Sequence, residues 1–296
     1  MTEANIYSQG YRRYEGERTG SAAAIKAMQS HSFRKALGLR RGFRFKVVPI
    51  LIILLAYVPV VAFVGFAVIF GLFLPNEAAE VAEDFLPTTA QFFGTLGFAT
   101  TIMAGYVGPL ILSDDRRDGM LGVALSSVLT RGSYLLAKGC TLLIMIFTVL
   151  VVPQIVLLLA LTTQGIGPDG IIRWLERFGH ILVGGVVIGS FYMLLSLAIS
   201  AVSDRRSYSW IAYFVGILVS GAVADTLAFE GSNASYNLLN LRILPIELVH
   251  RILGSSDGDW STIQNSTTSL WIAWFLIVAV CIGVTGFQYT RLLVRK

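Results

Sequence analysis

Residues 111–140 read ILSDDRRDGMLGVALSSVLTRGSYLLAKGC. The chain is apolar for twenty residues or more on either side of this stretch. Within it stand Asp114, Asp115, Arg116, Arg117 and Asp118, followed by a short patterned run, with Arg131 and Lys138 where the next apolar run begins. On a helix, Leu121, Ala124, Leu125, Val128 and Leu129 form one apolar stripe, with Ser126, Ser127 and Thr130 beside it. The stretch is too polar to span a bilayer and too regular for a plain linker. It reads either as an interfacial helix tying two spans together or as a helix offered to a soluble partner.

Working outward, composition sets the class. Of 296 residues, 55% are hydrophobic and 14% charged, and mean hydropathy is +0.70. A soluble domain cannot hide so much apolar surface, so the expected fold is an all-α integral membrane protein. Helices satisfy their own backbone groups where water is absent, and continuous apolar runs exclude the alternating strands of a membrane barrel. The first 46 residues are polar and basic and show no secretory signal. Residues 1–23 read as a flexible cytoplasmic segment. From Ala24 to Lys46 cations alternate with Ile25, Met28, Phe33, Ala36 and Leu37, as in an amphipathic helix lying along anionic membrane lipids. The division is thus a cytoplasmic segment over 1–46 and a transmembrane domain over 47–296.

Six spans are expected: 47–74, 90–112, 134–161, 178–202, 208–227 and 269–289. Pro49 and Pro59 should kink the first. The second is softened by Thr95, Thr100, Thr101, Gly105 and Gly108, which suit close packing or a pathway. An acidic loop carrying Glu77, Glu80, Glu83 and Asp84 separates these two spans. Ser203, Asp204, Arg205 and Arg206 make a tight turn between the fourth and fifth. The segment 228–268 contains LLNLRILPIELVHRILG, from which one or two short helices should dip into the outer interface.

Charge fixes the orientation. Of the 23 Lys and Arg, ten precede the first span, four lie between the second span and the start of the third (Lys138, just inside it, included), two between the fourth and fifth, and three end the chain; the intervening segments hold Arg173, Arg177, Arg242 and Arg251 alone. This asymmetry puts both termini in the cytoplasm. It also accounts for the net charge of +5 without a nucleic-acid partner.

No catalytic set is visible. His31, His180 and His250 are dispersed, Cys140 and Cys281 lack metal spacing, and Asp225 sits near the outer end of its span. The run Gly132 to Lys138 lacks the second glycine of a phosphate-binding loop. The chain is expected to have no enzymatic site, metal or bound cofactor of its own.

The central stretch resembles the ABC type-2 permease family, the membrane subunits of ABC exporters. Leu125-Ser126-Ser127-Val128-Leu129-Thr130-Arg131 and Gly132-Ser133-Tyr134-Leu135-Leu136-Ala137-Lys138 match a family run of the form L-S-S-P-V-S-R-x-x-Y-L-L-G-K, and Asp118-Gly119-Met120-Leu121 stands where the family carries an acidic residue, Gly, Thr and Leu. Val128 replaces the family's proline and Ala137 its glycine. The resemblance implies a dimer of permeases in a bacterial plasma membrane, coupled to separate ABC ATP-binding subunits that carry ATP and magnesium. It implies ATPase coupling through Asp118, Gly119, Leu121, Leu125, Leu129, Arg131 and Lys138, and a second cytoplasmic contact through Asp204, Arg205 and Arg206. It places Thr100, Thr101 and Ser220 along the pathway. A secondary transporter and a non-transporting membrane anchor for a soluble partner are the competing readings; substrate is not legible.

Overall fold

The computed structural model describes residues 20–39, 42–73, 85–125, 129–168, 170–231, 234–254 and 266–294. The expected flexible segment before Gly20, the acidic loop 77–84, and Ser126, Ser127 and Val128 lie outside these residues. Among the described residues the fold is all-helical, and six helices are long and apolar enough to cross a membrane.

Helix α1 (Ser21–Ala36) covers only the first part of the basic stretch expected to be helical, whose end, from Phe43, belongs to the next helix. Helix α2 (Phe43–Phe73) runs on through Pro49 and Pro59. Each proline removes one helix hydrogen bond, a loss that membrane helices tolerate. Helix α3 (Thr89–Arg117) starts at a capping box, in which Gln91 N donates to Thr88 Oγ1 at 3.3 Å and Thr88 N donates to Gln91 Oε1 at 3.0 Å. A short α4 (Met120–Leu125) follows.

The third span is two helices, α5 (Arg131–Leu150) and α6 (Val152–Thr163), where the sequence suggested one. The break falls at Val151, beside Pro153, whose missing N–H leaves the carbonyl of Val149 without its helical donor. Helix α7 (Ile171–Val202) begins earlier than hydropathy indicated, because Arg173, Trp174 and Arg177 extend the helix beyond its apolar run. Helix α8 (Arg206–Gly231) is the fifth span. A 3-10 helix (Ala234–Leu239) and α9 (Leu244–Ile252) form the expected short helices, and α10 (Thr267–Val294) ends the bundle.

Two tiers of spans emerge. Over their most apolar windows α3, α5–α6 and α7 are 83%, 56% and 67% buried, whereas α2, α8 and α10 are 22%, 17% and 17% buried. The first group is the core, and the second turns its apolar side outward. The core is tight because small residues let backbones approach. A Cβ on Gly105 would meet the Tyr213 and Phe214 rings of α8 at 2.7 and 2.8 Å, and one on Gly108 would collide with Ser196 Oγ of α7. Gly185 faces Val151, and Gly189 faces Phe147 and Leu143 at 3.0 and 3.2 Å, so the GxxxG spacing of α7 is a contact with the third span.

Both ends of the described chain meet at one end of the bundle. Lys138 near the start of α5 reaches Ser32 of α1, and the Tyr134 ring lies 6.0 Å from that of Tyr289 near the end of α10. This end carries most of the cations and is called the basic end below. At the opposite end the 3-10 helix and α9 fold back as a cap: Leu244 to His250 are all buried, Tyr192 Oη donates to Arg242 O at 3.1 Å, and Leu241 N donates to Ser220 Oγ at 3.3 Å.

Candidate functional site at the basic end

The charges of the central stretch are divided between burial and exposure. Helix α3 continues past the apolar run to Arg117, so Asp114 and Asp115 are inside the bundle, both 4% exposed. Asp118 is the C-cap of α3, its N–H donating to Asp114 O. Gly119 then turns the chain with φ +69°, a region costly for other residues, and α4 sets off at the surface. Thr130 caps α5, its Oγ1 accepting from Ser133 N at 3.3 Å.

A buried ionic network ties three helices together here. Lys138, fully buried on α5, donates from Nζ to Asp115 Oδ2 at 2.5 Å and to Ser32 Oγ of α1 at 2.8 Å. Lys35 of α1 donates to the other oxygen, Asp115 Oδ1, at 2.8 Å and stands 3.8 Å from Asp114 Oδ2. Tyr134 Oη donates to Asp115 Oδ2 at 3.1 Å. A second arm joins α3 to the α7–α8 turn: Arg116 pairs with Asp204 at 2.6 Å and donates to Ala201 O. Lys35, Arg116 and Lys138 balance Asp114, Asp115 and Asp204. Ionic groups this deep persist only when paired and hydrogen-bonded. The network therefore pins α1 and the α7–α8 turn against the base of α3.

This brace frames an open cleft of about 530 Å³, lined by Ala27, Ser30, His31, Arg34 and Lys35 on α1 and by Asp115, Asp118 and Met120 across it. Both signs of charge border it, and α4 stands at its mouth. Met120 is 42% exposed, whereas Leu121 is partly buried against the core and Leu129 is buried.

The expected coupling residues thus take several positions. Asp118, Gly119, Met120 and Leu121 form the exposed turn and the start of α4. The helix is described as far as Leu125, of which the backbone alone is described; Ser126, Ser127 and Val128 lie outside the described residues, and Leu129 is not helical. Arg131 is exposed at the first turn of α5. Lys138, grouped with the coupling surface by resemblance, lies entirely inside. Asp204 joins the brace, while the Arg205 and Arg206 guanidinium groups sit 5.6 and 5.0 Å from the rings of Tyr208 and Tyr106.

The pathway candidates separate as well. Thr100 and Thr101 are buried within the chain, their hydroxyls donating to Leu96 O and Gly97 O at 2.9 and 2.8 Å. Ser220 lines a shallow groove of about 580 Å³ on the outward side of α8.

Sequence reading missed Asp115, Lys35, Ser32 and Tyr134 as a unit. The signal was a carboxylate closing one apolar run and a lysine four residues into the next, since each needs a buried partner. No protein-family model matches the chain, and no curated protein or solved structure matches it either.

Proposed function

We propose that this chain is the permease subunit of an ATP-driven ABC exporter, with the basic end facing the cytoplasm and docking an ATP-binding subunit. One observation carries the reading: α4, with Met120 exposed at its start, follows a positive-φ glycine turn beside a cleft that the buried ionic brace frames. A helix that is to transmit force from a soluble partner needs such a rigid footing, because displacement of α4 then moves α3, α5 and α1 together. The six spans are compatible with a transporter-type membrane protein. The outward faces of α2 and α8 leave room for a second permease copy, and the charge asymmetry of the loops supports the cytoplasmic assignment. ATP and magnesium belong to the partner.

The secondary-transporter reading draws on the buried Asp115–Lys138 pair, a titratable couple within the bundle. Its position at one end, paired on every oxygen, favours bracing over proton carriage. The test is affinity purification of the tagged chain from its own membranes in mild detergent, with ATPase assay of the eluate. Near-stoichiometric recovery of a soluble ATPase, lost on Met120→Asp, supports the exporter. A chain that elutes without ATPase and drives transport only under a proton gradient supports the alternative.

A further inference from the structure

At the opposite end of the bundle, α3, α6 and α7 leave a narrow crevice lined by Phe92, Gln154, Leu157, Leu158, Arg177 and Ile181, enclosing about 40 Å³. Gln154 is 3% exposed, and its Nε2 has no hydrogen-bond partner. A buried amide donor left unsatisfied is costly, so an acceptor is expected in the crevice. A resident water would need two to four polar partners. The buried part of the lining offers only Gln154, since Thr89 is half-buried at the rim and Arg177 is exposed.

Depth identifies the acceptor. The 33 residues of α5–α6 rise about 50 Å at 1.5 Å per residue, against a hydrocarbon thickness of about 30 Å. Centred, such a span extends about 10 Å beyond each face of the hydrocarbon. Gln154, nine residues before the end of α6, lies about 13 Å down that helix and so just beneath the boundary. Arg177, six residues into α7, lies about 9 Å down, at the boundary itself, and its long side chain can reach the headgroups. Trp174, stacked on Phe178 at 5.5 Å one turn away, also suits that level.

We propose that this crevice binds the glycerol-ester region of a phospholipid from the leaflet opposite the termini. Gln154 Nε2 donates to an acyl-ester carbonyl that enters the crevice, the Arg177 guanidinium meets the phosphate, and the acyl chain stays outside in the surrounding bilayer. The ester lies where α6 breaks from α5, so a bound lipid would steady that joint.

The experiment titrates the full chain, purified in detergent and followed by thermal unfolding, with three probes: diacyl phosphatidylglycerol, its diether analogue and inorganic phosphate. The diether lacks the carbonyl but keeps the phosphate. Wild-type protein should respond to the diacyl lipid at about fivefold lower concentration than to the diether, the worth of one hydrogen bond, and not to inorganic phosphate. Gln154→Leu should erase the ester–ether difference, while Arg177→Gln weakens both lipids and keeps it. Equal response of the wild type to ester and ether overturns the proposal, and so does stabilisation by inorganic phosphate alone. The wild-type comparison stands even if a variant fails to fold.

Discussion

Replacing Lys138 with methionine removes the centre of the brace while keeping its length and apolar stem. The ammonium is fully buried and bonded to Asp115 at 2.5 Å and to Ser32 at 2.8 Å. Breaking a buried ion pair from one side typically costs about 3–5 kcal/mol, because the other charge is stranded. Here Asp115 would keep Lys35 at 2.8 Å and Tyr134 at 3.1 Å, which places Lys138→Met at the low end, about 3 kcal/mol. Asp115→Asn leaves Lys138 with Ser32 and the Tyr134 ring, 5.4 Å away, but without its counter-charge, so it belongs at the high end, about 5 kcal/mol. The double variant should fall short of the sum by about 2 kcal/mol. The first element to loosen is α1, held to α5 by this network and by Thr141 Oγ1 donating to Gln29 O at 3.3 Å. Limited trypsin cleavage at Lys26, Arg34 and Lys35 in lipid nanodiscs reads that loosening. With 3 kcal/mol lost, the open population and the cleavage rate should rise about a hundredfold. Cleavage at the wild-type rate, or additive losses in the double variant, would refute the idea that these charges hold α1 in place.

Other outcomes follow from separate contacts. Gly108→Ala pushes a methyl group into Ser196 Oγ, which donates to Ala104 O at 2.7 Å; the thermal midpoint should fall by the equivalent of about 1–3 kcal/mol, and Ser196→Ala in the same chain should recover part of it. Asp204→Ala frees Arg116, but Asp204 is 65% exposed, so the loss should be about 1 kcal/mol and shrink at high salt. In the cap at the opposite end, burial lowers the His250 pKa from 6.5, so the neutral ring is the form that folding favours. Its stabilising effect is present above pH 6.5 and fades as pH falls below it. Glu247 runs the other way: burial raises its pKa above 4.5 and outweighs the Arg251 guanidinium, so its contribution is full below 4.5 and is lost as pH rises through the shifted value. His250→Gln should therefore flatten the decline in thermal midpoint just below pH 6.5 and leave the Glu247 limb unchanged.

The spans were legible because continuous apolar runs admit few other readings. Their ends were less so. Hydropathy follows side chains, while a helix follows its backbone hydrogen bonds, so α7 begins seven residues before its apolar run and α3 carries four charged residues past the membrane-like stretch. The break at Val151 was signalled by Pro153, yet whether a proline bends or divides a helix depends on neighbours: α2 absorbs two prolines and the third span does not absorb one. The site was half legible. The turn and the short helix after Asp118 could be read from local pattern. The brace could not, since Lys35 and Asp115 are 80 positions apart and Asp115 and Lys138 are 23 apart. Local pattern assigns such charges to solvent unless the neighbouring helix is known.

The most direct test of the docking claim places a photo-crosslinking amino acid at position 120 on α4 and, as a control, at position 172, which is 79% exposed at the opposite end. Irradiation of native membranes should join position 120, and not position 172, to a nucleotide-binding ATPase subunit. If position 120 yields no such adduct while intact chain is present in the membrane, α4 is not a docking helix and the exporter assignment fails with it.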